Sequence, residues 1–265
     1  MLMQILLGAV VVYVGLCSLA RLGFRRALYP APAPRPFVAH GEPPIELLVL
    51  RAADGVVAHA AFVAPPPGAR TVVFFHGNGE QIGDSIPLAK DLARRGFGVA
   101  LVEYRGYGPS AGPMPTEAGL YLDAEAALDA LATRGIPRDG VTLWGTSLGS
   151  GVAAEMARRG RGASLVLVTP YTSIPGVAAR FAPFLPTRLC VVDHFDTLAK
   201  AAGIRIPTLI IHGDRDEVIP YDMGELLART IAGARFISVA GGHHNDLFDR
   251  DGAHLMNEID AHARR

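Results

Sequence analysis

The sequence predicts one α/β domain built on a mostly parallel, doubly wound sheet, preceded by a single helix able to cross a membrane. Three observations carry this. From Thr71 onward, short apolar runs alternate with helix-patterned stretches, as in parallel βαβ units. One junction, Val141–Gly151, reads VTLWGTSLGSG, a buried strand running through a sharp turn into a helix. Met1–Ala20 holds no charged residue and is followed at once by Arg21, Arg25 and Arg26. The composition fits: 265 residues allow one sizeable core beyond a terminal segment, and 50% hydrophobic with 19% charged residues excludes long disorder. A net charge of zero argues against a nucleic-acid partner held by bulk electrostatics. Cys17 and Cys190 form no C-x-x-C or zinc-type spacing, so no disulfide framework is expected. They leave the redox compartment open.

In order, the apolar start is long enough to span a bilayer as a helix. A cleaved signal peptide is the rival reading, with Ser18-Leu19-Ala20 as a cleavage site. No Lys or Arg precedes the run, and the run exceeds a usual signal core, which favours an uncleaved anchor over residues 1–26. The arginine flank puts the rest of the chain on the cytoplasmic side. Residues 27–44 read as a linker. Within them Tyr29–Pro36, YPAPAPRP, is expected as a stiff polyproline spacer or as a stretch wrapped over the domain. The domain occupies residues 45–265.

Ile45–Arg51 and Val56–Val63 flank Ala52-Ala53-Asp54-Gly55, a hairpin signal; His59 lies in the second run as a strand residue. Thr71–Phe75 is a buried strand that runs into His76-Gly77-Asn78-Gly79. Ile86–Arg95 is helical, Val99–Val102 a strand, and Tyr104–Gly112 a glycine-rich loop, YRGYGPSAG. Thr116 can cap a helix to about Leu131. After the Val141 unit, whose helix is expected over Val152–Arg159, Ser164–Val168 is a strand. Pro170–Ile206 reads as an irregular cap, broken by four prolines and carrying the apolar cluster Phe181, Phe184 and Leu185. Thr208–Ile211 and Arg235–Val239 are strands, with helices over Met223–Ile231 and Gly252–Arg264.

Ser147 stands at the tip of the Gly145–Gly149 turn, where a helix N-terminus aims N–H groups and a positive dipole end at the reaction centre. A turn without chemistry would look the same in a chain with 30 glycines, so the other loops must decide. Open parallel sheets place reactive groups beyond the carboxyl ends of their strands. There the chain carries, in order, Ser147, Asp216 and His244. HGNG at His76–Gly79, GTSLG, HGDRDEVIP at His212–Pro220 and HHNDL at His243–Leu247 resemble the α/β-hydrolase superfamily, whose triad runs Ser, Asp, His. The resemblance covers the chain from about Leu47 onward. YRGYGPSAG and the apolar start are similar to a membrane-tethered branch related to bud-emergence proteins and depalmitoylating thioesterases.

The resemblance implies an α/β-hydrolase fold and a serine nucleophile, Ser147. His244 would take its proton and return it to the leaving group, and Asp216 would orient the imidazole. The backbone N–H groups of Asn78 and Leu148 would form the oxyanion hole. The family pattern H-G-x-x-D selects Asp216 over Asp214. Position alone leaves His243 and His244 both open; the family places its base directly before Asn-Asp-Leu, which selects His244. His76 is read as a turn residue, Glu80 as a surface group or an oxyanion-loop partner, and Tyr104, Arg105 and Tyr107 as loop braces. His194, His254 and His262 are read as solvated or locally bonded.

The expectation is therefore a membrane-anchored serine hydrolase acting on an acyl ester or thioester, with a small-molecule or lipid-like substrate, no organic cofactor and an oligomeric state left open. A chain starting near Tyr29 is expected to stay active. The alternatives are an amidase or peptidase on the same triad, and a noncatalytic tethered binding module. A metal site from His212, Asp214, Asp216, His243, His244 and Asp246 is a further reading, but it leaves the serine turn unexplained.

Overall fold

The computed structural model describes every residue except Pro36, His40 and Ala111. Pro36, which ends the proline-rich stretch, and Ala111, within the glycine-rich loop, therefore lie outside the described residues. A long helix α1 (Leu2–Leu28) is followed by the hairpin β1 (Glu46–Arg51) and β2 (Val57–Val63), then β3 (Thr71–Phe75), α2 (Ile86–Arg94) and β4 (Gly98–Glu103). Next come α3 (Glu117–Thr133), β5 (Val141–Thr146), α4 (Leu148–Arg158) and β6 (Ser164–Val168). Three short helices form the cap: α5 (Ile174–Phe181), α6 (Thr187–Cys190) and α7 (Thr197–Ala201). The chain closes with β7 (Thr208–Gly213), α8 (Tyr221–Thr230), β8 (Arg235–Val239) and α9 (Leu247–Ala263).

The sheet has eight strands in the order β1-β2-β4-β3-β5-β6-β7-β8. β2 pairs antiparallel with β1 and β4, and every pairing from β4 through β3 to β8 is parallel. The central strands are apolar throughout because both faces are covered. Side chains alternate between two cores. Val73, Phe75 and Leu143 pack with α3 and α4 on one face; Val72, Phe74 and Trp144 pack with α2 and α9 on the other. This is the α/β-hydrolase fold that the motifs implied.

Three regions differ from the sequence reading. The cap is helical, not irregular. Pro175 occupies the first turn of α5, where a missing N–H costs nothing, and Ser173 caps that helix by accepting from Gly176 N. Two of the prolines read as breakers, Pro175 and Pro186, thus stand at helix starts. α4 begins at Leu148, four residues before the expected Val152, although it holds three non-helix-favouring residues at its start. Its glycines serve packing: a Cβ on Gly149 would collide with the Phe75 carbonyl, and one on Gly151 with the Tyr171 hydroxyl. α9 begins at Leu247 and bends at Asp251, whose backbone leaves the helical region, so its regular part coincides with the expected Gly252 start.

The end of α1 and the segment after it are built into the domain. Tyr29 is buried in the core. Arg25 pairs with Asp193 of the cap at 2.8 Å. Gln81 Nε2 donates to Ala33 O at 2.9 Å, and Arg35 N donates to Gln81 Oε1 at 3.3 Å. The stretch from Tyr29 to Arg35 therefore lies along the domain instead of standing clear as a spacer.

Candidate active site

Ser147 follows β5 and has φ +50°, a left-handed conformation that is uncommon outside glycine. Tight surroundings hold it there. A Cβ on Gly145 would collide with the Gly149 carbonyl, so the crossing of strand and helix requires glycine at both places. Ser147 N donates to Val168 O at 3.0 Å, fixing the turn against β6. The result lifts the Ser147 hydroxyl above the strand ends at the N-terminus of α4.

His244 comes from the loop after β8. Its Nε2 lies 3.0 Å from Ser147 Oγ, and its Nδ1 lies 2.8 Å from Asp216 Oδ2. With Nδ1 protonated toward the carboxylate, Nε2 is the acceptor facing the serine. Asp216 follows β7, and its side chain is fully buried. Its Oδ1 accepts from Val218 N and Ile219 N at 2.9 and 2.7 Å. Burial alone would raise the Asp216 pKa. Hydrogen bonds from His212 and His244, the imidazole charge and the Ile219 N–H outweigh it and hold the carboxyl well below its usual range.

The rival residues sit elsewhere. Asp214 is exposed and accepts from Gly241 N. His243 is exposed and faces Glu217 Oε2 at 3.0 Å. Asp246 accepts from His243 N at 2.7 Å and pairs with Arg250. Asp214 and Asp246 thus hold the two ends of the loop that presents His244. Among the described residues no three His, Cys, Asp or Glu side chains gather as a metal site.

Asn78 and Leu148 border the same cavity as Ser147. The loop carrying Asn78 is braced from below. Tyr107 donates to Asn78 O at 2.8 Å and Tyr104 to His76 O at 3.1 Å. Gly77 N donates to Glu80 Oε2 at 3.2 Å, so Glu80 is a partner of this loop. Arg105 instead forms paired contacts with Asp123 and Asp54, away from the serine. His59 Nδ1 lies 3.2 Å from Ser110 Oγ, and His194 and His262 each meet a backbone carbonyl.

Two bracing residues are not read as such in the sequence: Glu103 is not singled out, and His212 is named only within a motif and as a metal ligand. Glu103 is fully buried under the Asn78 loop, with Oε1 2.9 Å from His76 Nε2 and Oε2 accepting from Ile82 N at 3.0 Å. The signal was a carboxylate closing the apolar strand run Val99–Val102. His212, also fully buried, places Nε2 3.1 Å from Ile219 O and 3.2 Å from Asp216 Oδ2. One ring N–H thereby steadies the carboxylate and the turn behind it. A Cβ on Gly224 of α8 would collide with this ring, which explains the glycine.

Two cavities flank the Ser147–His244 contact. One, about 330 Å³, is apolar and reaches Ser147 between α1 and α5. The other, about 500 Å³, lies on the far side of His244, against Trp144 and Phe248. A larger cavity of about 720 Å³ lies at the amino ends of β3 and β5, away from these groups.

A family model described as serine aminopeptidase, S33 matches residues 66–190. An uncharacterized protein of Mycobacterium tuberculosis is 32% identical over 240 residues, covering 89% of this chain and 85% of that one. Human alpha/beta hydrolase domain-containing protein 17B is 36% identical over 207 residues, 77% of this chain and 70% of that one. Among solved structures, an esterase of Pyrococcus furiosus superposes with a TM-score of 0.70 at 16% identity, covering 89% of this chain and 98% of that one.

Proposed function

This chain belongs to the α/β-hydrolase superfamily, and from that premise we propose that it is a membrane-anchored serine hydrolase cleaving an ester or thioester through an acyl-enzyme. The observation that carries this reading is the single imidazole of His244 bonded at once to Ser147 and Asp216. A serine hydroxyl is a weak nucleophile until a base removes its proton. His244 Nε2 takes that proton as Ser147 Oγ attacks the carbonyl carbon, and Asp216 stabilises the imidazolium that forms. The charge on the carbonyl oxygen is met by the N–H groups of Asn78 and Leu148, the latter at the positive end of α4. The tetrahedral intermediate collapses, His244 protonates the departing alcohol or thiol, and Ser147 is left acylated. Water, activated by the same imidazole, repeats the sequence and frees the acid. No step calls for a metal or organic cofactor.

α1 is long and apolar enough to cross a membrane. We read it as a single span, with the arginines at its end and the domain on the cytoplasmic side. The anchor (residues 1–26), domain (45–265) and cap (170–206) belong to the same reading, and the linker (27–44) is packed along the domain from Tyr29 to Arg35. An aminopeptidase-type reading is favoured by the description of the matching family model. It differs only in the leaving group, an amine that needs fuller protonation from His244.

The test is covalent labelling. A fluorophosphonate should modify Ser147 in the full chain, and Ser147→Ala should abolish labelling and lower turnover of acyl esters by about 10⁴–10⁶-fold. Labelling of a different serine would overturn the assignment. A folded chain that neither labels nor hydrolyses esters, thioesters or amides would make it a binding module.

A further inference from the structure

The apolar cavity beside Ser147 is closed on one side by the last turns of α1, through Phe24, Ala27 and Leu28. The facing wall is α5, through Val177, Ala178 and Phe181. Apart from Ser147 and Asn78, no polar side chain of the Ser, Thr, Asn, Gln or charged types borders it among the described residues. The helix is fixed there by three contacts. Arg25 pairs with Asp193 at 2.8 Å, Asn78 Nδ2 donates to Leu28 O at 3.3 Å, and Tyr29 is buried in the core directly after the helix. The loop that carries the Asn78 N–H is thus tied to the end of α1.

Further up the helix, Tyr13 donates to Phe184 O at 2.9 Å and Arg21 to Leu189 O. The cap therefore runs alongside the apolar stretch of α1. It carries three large apolar side chains on its outer surface, Phe181, Phe184 and Leu189, each more than 60% exposed. Because the cap packs beside α1 from Tyr13 to Arg21, this patch lies at the depth of the α1 span and enters the bilayer next to the helix instead of resting above it.

We propose that α1 is part of the substrate site: its last two turns and α5 form the channel that receives the acyl chain of a bilayer-resident acyl ester or thioester. The chain slides from the membrane along α1 and past the Phe181 rim, and the carbonyl arrives at Ser147 with its oxygen toward Asn78 N and Leu148 N. Phe24, Ala27 and Leu28 then act as specificity-determining residues, because the volume they leave sets the length of chain that fits. This rests on the serine-hydrolase reading above. It also revises the expectation about the cap: Phe181 borders the cavity, whereas Phe184 and Leu185 do not.

The experiment uses the full chain in phospholipid nanodiscs with p-nitrophenyl acetate and p-nitrophenyl decanoate, and with fluorophosphonate labelling of each variant to count competent sites. Ala27→Phe fills the channel from α1, and Ala178→Phe fills it from α5. Each should lower the decanoate-to-acetate ratio of kcat/KM by at least about tenfold. Phe24→Ala enlarges the channel and should raise kcat/KM for a third substrate, p-nitrophenyl hexadecanoate, relative to decanoate. Leu22→Phe, on the same helix but off the cavity and 81% exposed, should keep the wild-type ratio. A ratio untouched by Ala27→Phe but lowered by Ala178→Phe would overturn the role of α1 while leaving the hydrolase reading intact. Equal ratios in all variants would overturn the channel as a whole. Absence of labelling and of turnover in the wild type would overturn the hydrolase reading, and the channel with it.

Discussion

Ser147, Asp216 and His244 each depend on a neighbour that does no chemistry of its own. Asp216 faces two imidazoles and two backbone N–H groups, whereas Asp214, two residues earlier, faces one N–H from Gly241. Asp216→Asn should therefore lower turnover by up to about 10⁴-fold, since the amide no longer fixes the imidazole tautomer. Asp214→Asn weakens only the hold on the His244 loop and should cost about tenfold at most. Steady-state kinetics on both variants decides, and a larger loss at Asp214 would exchange the roles. The histidine pair follows the same logic. His244→Ala should lower turnover by several orders of magnitude with folding intact by circular dichroism. His243→Ala should retain most activity, because its ring faces Glu217 and solvent. Which residues meet was legible from motif order together with the family resemblance: Ser147, Asp216 and His244 follow the ends of β5, β7 and β8, and the resemblance selects Asp216 over Asp214 and His244 over His243. Glu103 was not legible, and His212 reads as a metal ligand instead of a brace, because a buried polar brace shows in sequence only as one polar letter at the end of an apolar run.

Among the elements, α4 joins the site to the rest of the core, and its acid clamp sits at the opposite end from Ser147. Glu155 is nearly fully buried and receives Arg158 at 2.6 Å and Arg159 at 2.8 Å, with Lys200 of α7 at 3.6 Å. Burial would raise its pKa, but the two arginines and Lys200 outweigh burial and bring it down to about 2. A carboxyl depressed on folding adds stability above its unfolded pKa, near 4.5, and loses it as pH falls toward about 2. With both arginines partly exposed, solvent screening limits this contribution to about 1–2 kcal/mol. Glu155→Gln should therefore unfold earlier than wild type at pH 7, and the gap in Tm should close between pH 4.5 and pH 2. A gap that persists at pH 2 would mean that packing, not charge, sets the effect. Strands were the most legible elements: Thr71–Phe75 and Ser164–Val168 match to the residue, since a strand buried on both faces is a bounded apolar run, and Arg235–Val239 also matches although it is the half-exposed edge strand. The cap helices were hidden because Pro175 and Pro186 read as breaks until their position at a helix start is known. The early start of α4 was hidden by glycines that serve close packing and not helix propensity.

At the scale of the molecule, the sequence separates an anchor from a domain, whereas the structure merges them. Apolarity reveals that Met1–Ala20 suits a bilayer, but nothing local in the sequence shows that Tyr29 enters the core or that Leu28 O meets Asn78. Those contacts span about fifty residues and depend on tertiary placement alone. The expectation that a chain starting near Tyr29 stays active therefore has to be divided in two. Removal of residues 1–20 deletes the apolar stretch but keeps Arg25, its pair with Asp193 and the channel wall. That shortened chain should leave the membrane fraction yet keep the full-length preference for decanoate over acetate in mixed micelles. Removal of residues 1–28 also deletes Phe24, Ala27 and Leu28. It leaves Asp193 without Arg25, frees the Asn78 side chain and uncovers Tyr29. It should lose stability by about 1–3 kcal/mol, from one ion pair, one hydrogen bond and partial apolar exposure. Its decanoate turnover should fall well below its acetate turnover, while Ser147 still labels. Measuring both shortened chains against the full one separates tethering from substrate binding. Equal length preference in the two would return α1 to the role of a simple anchor, and loss of that preference only in the shorter chain would make its last two turns part of the enzyme.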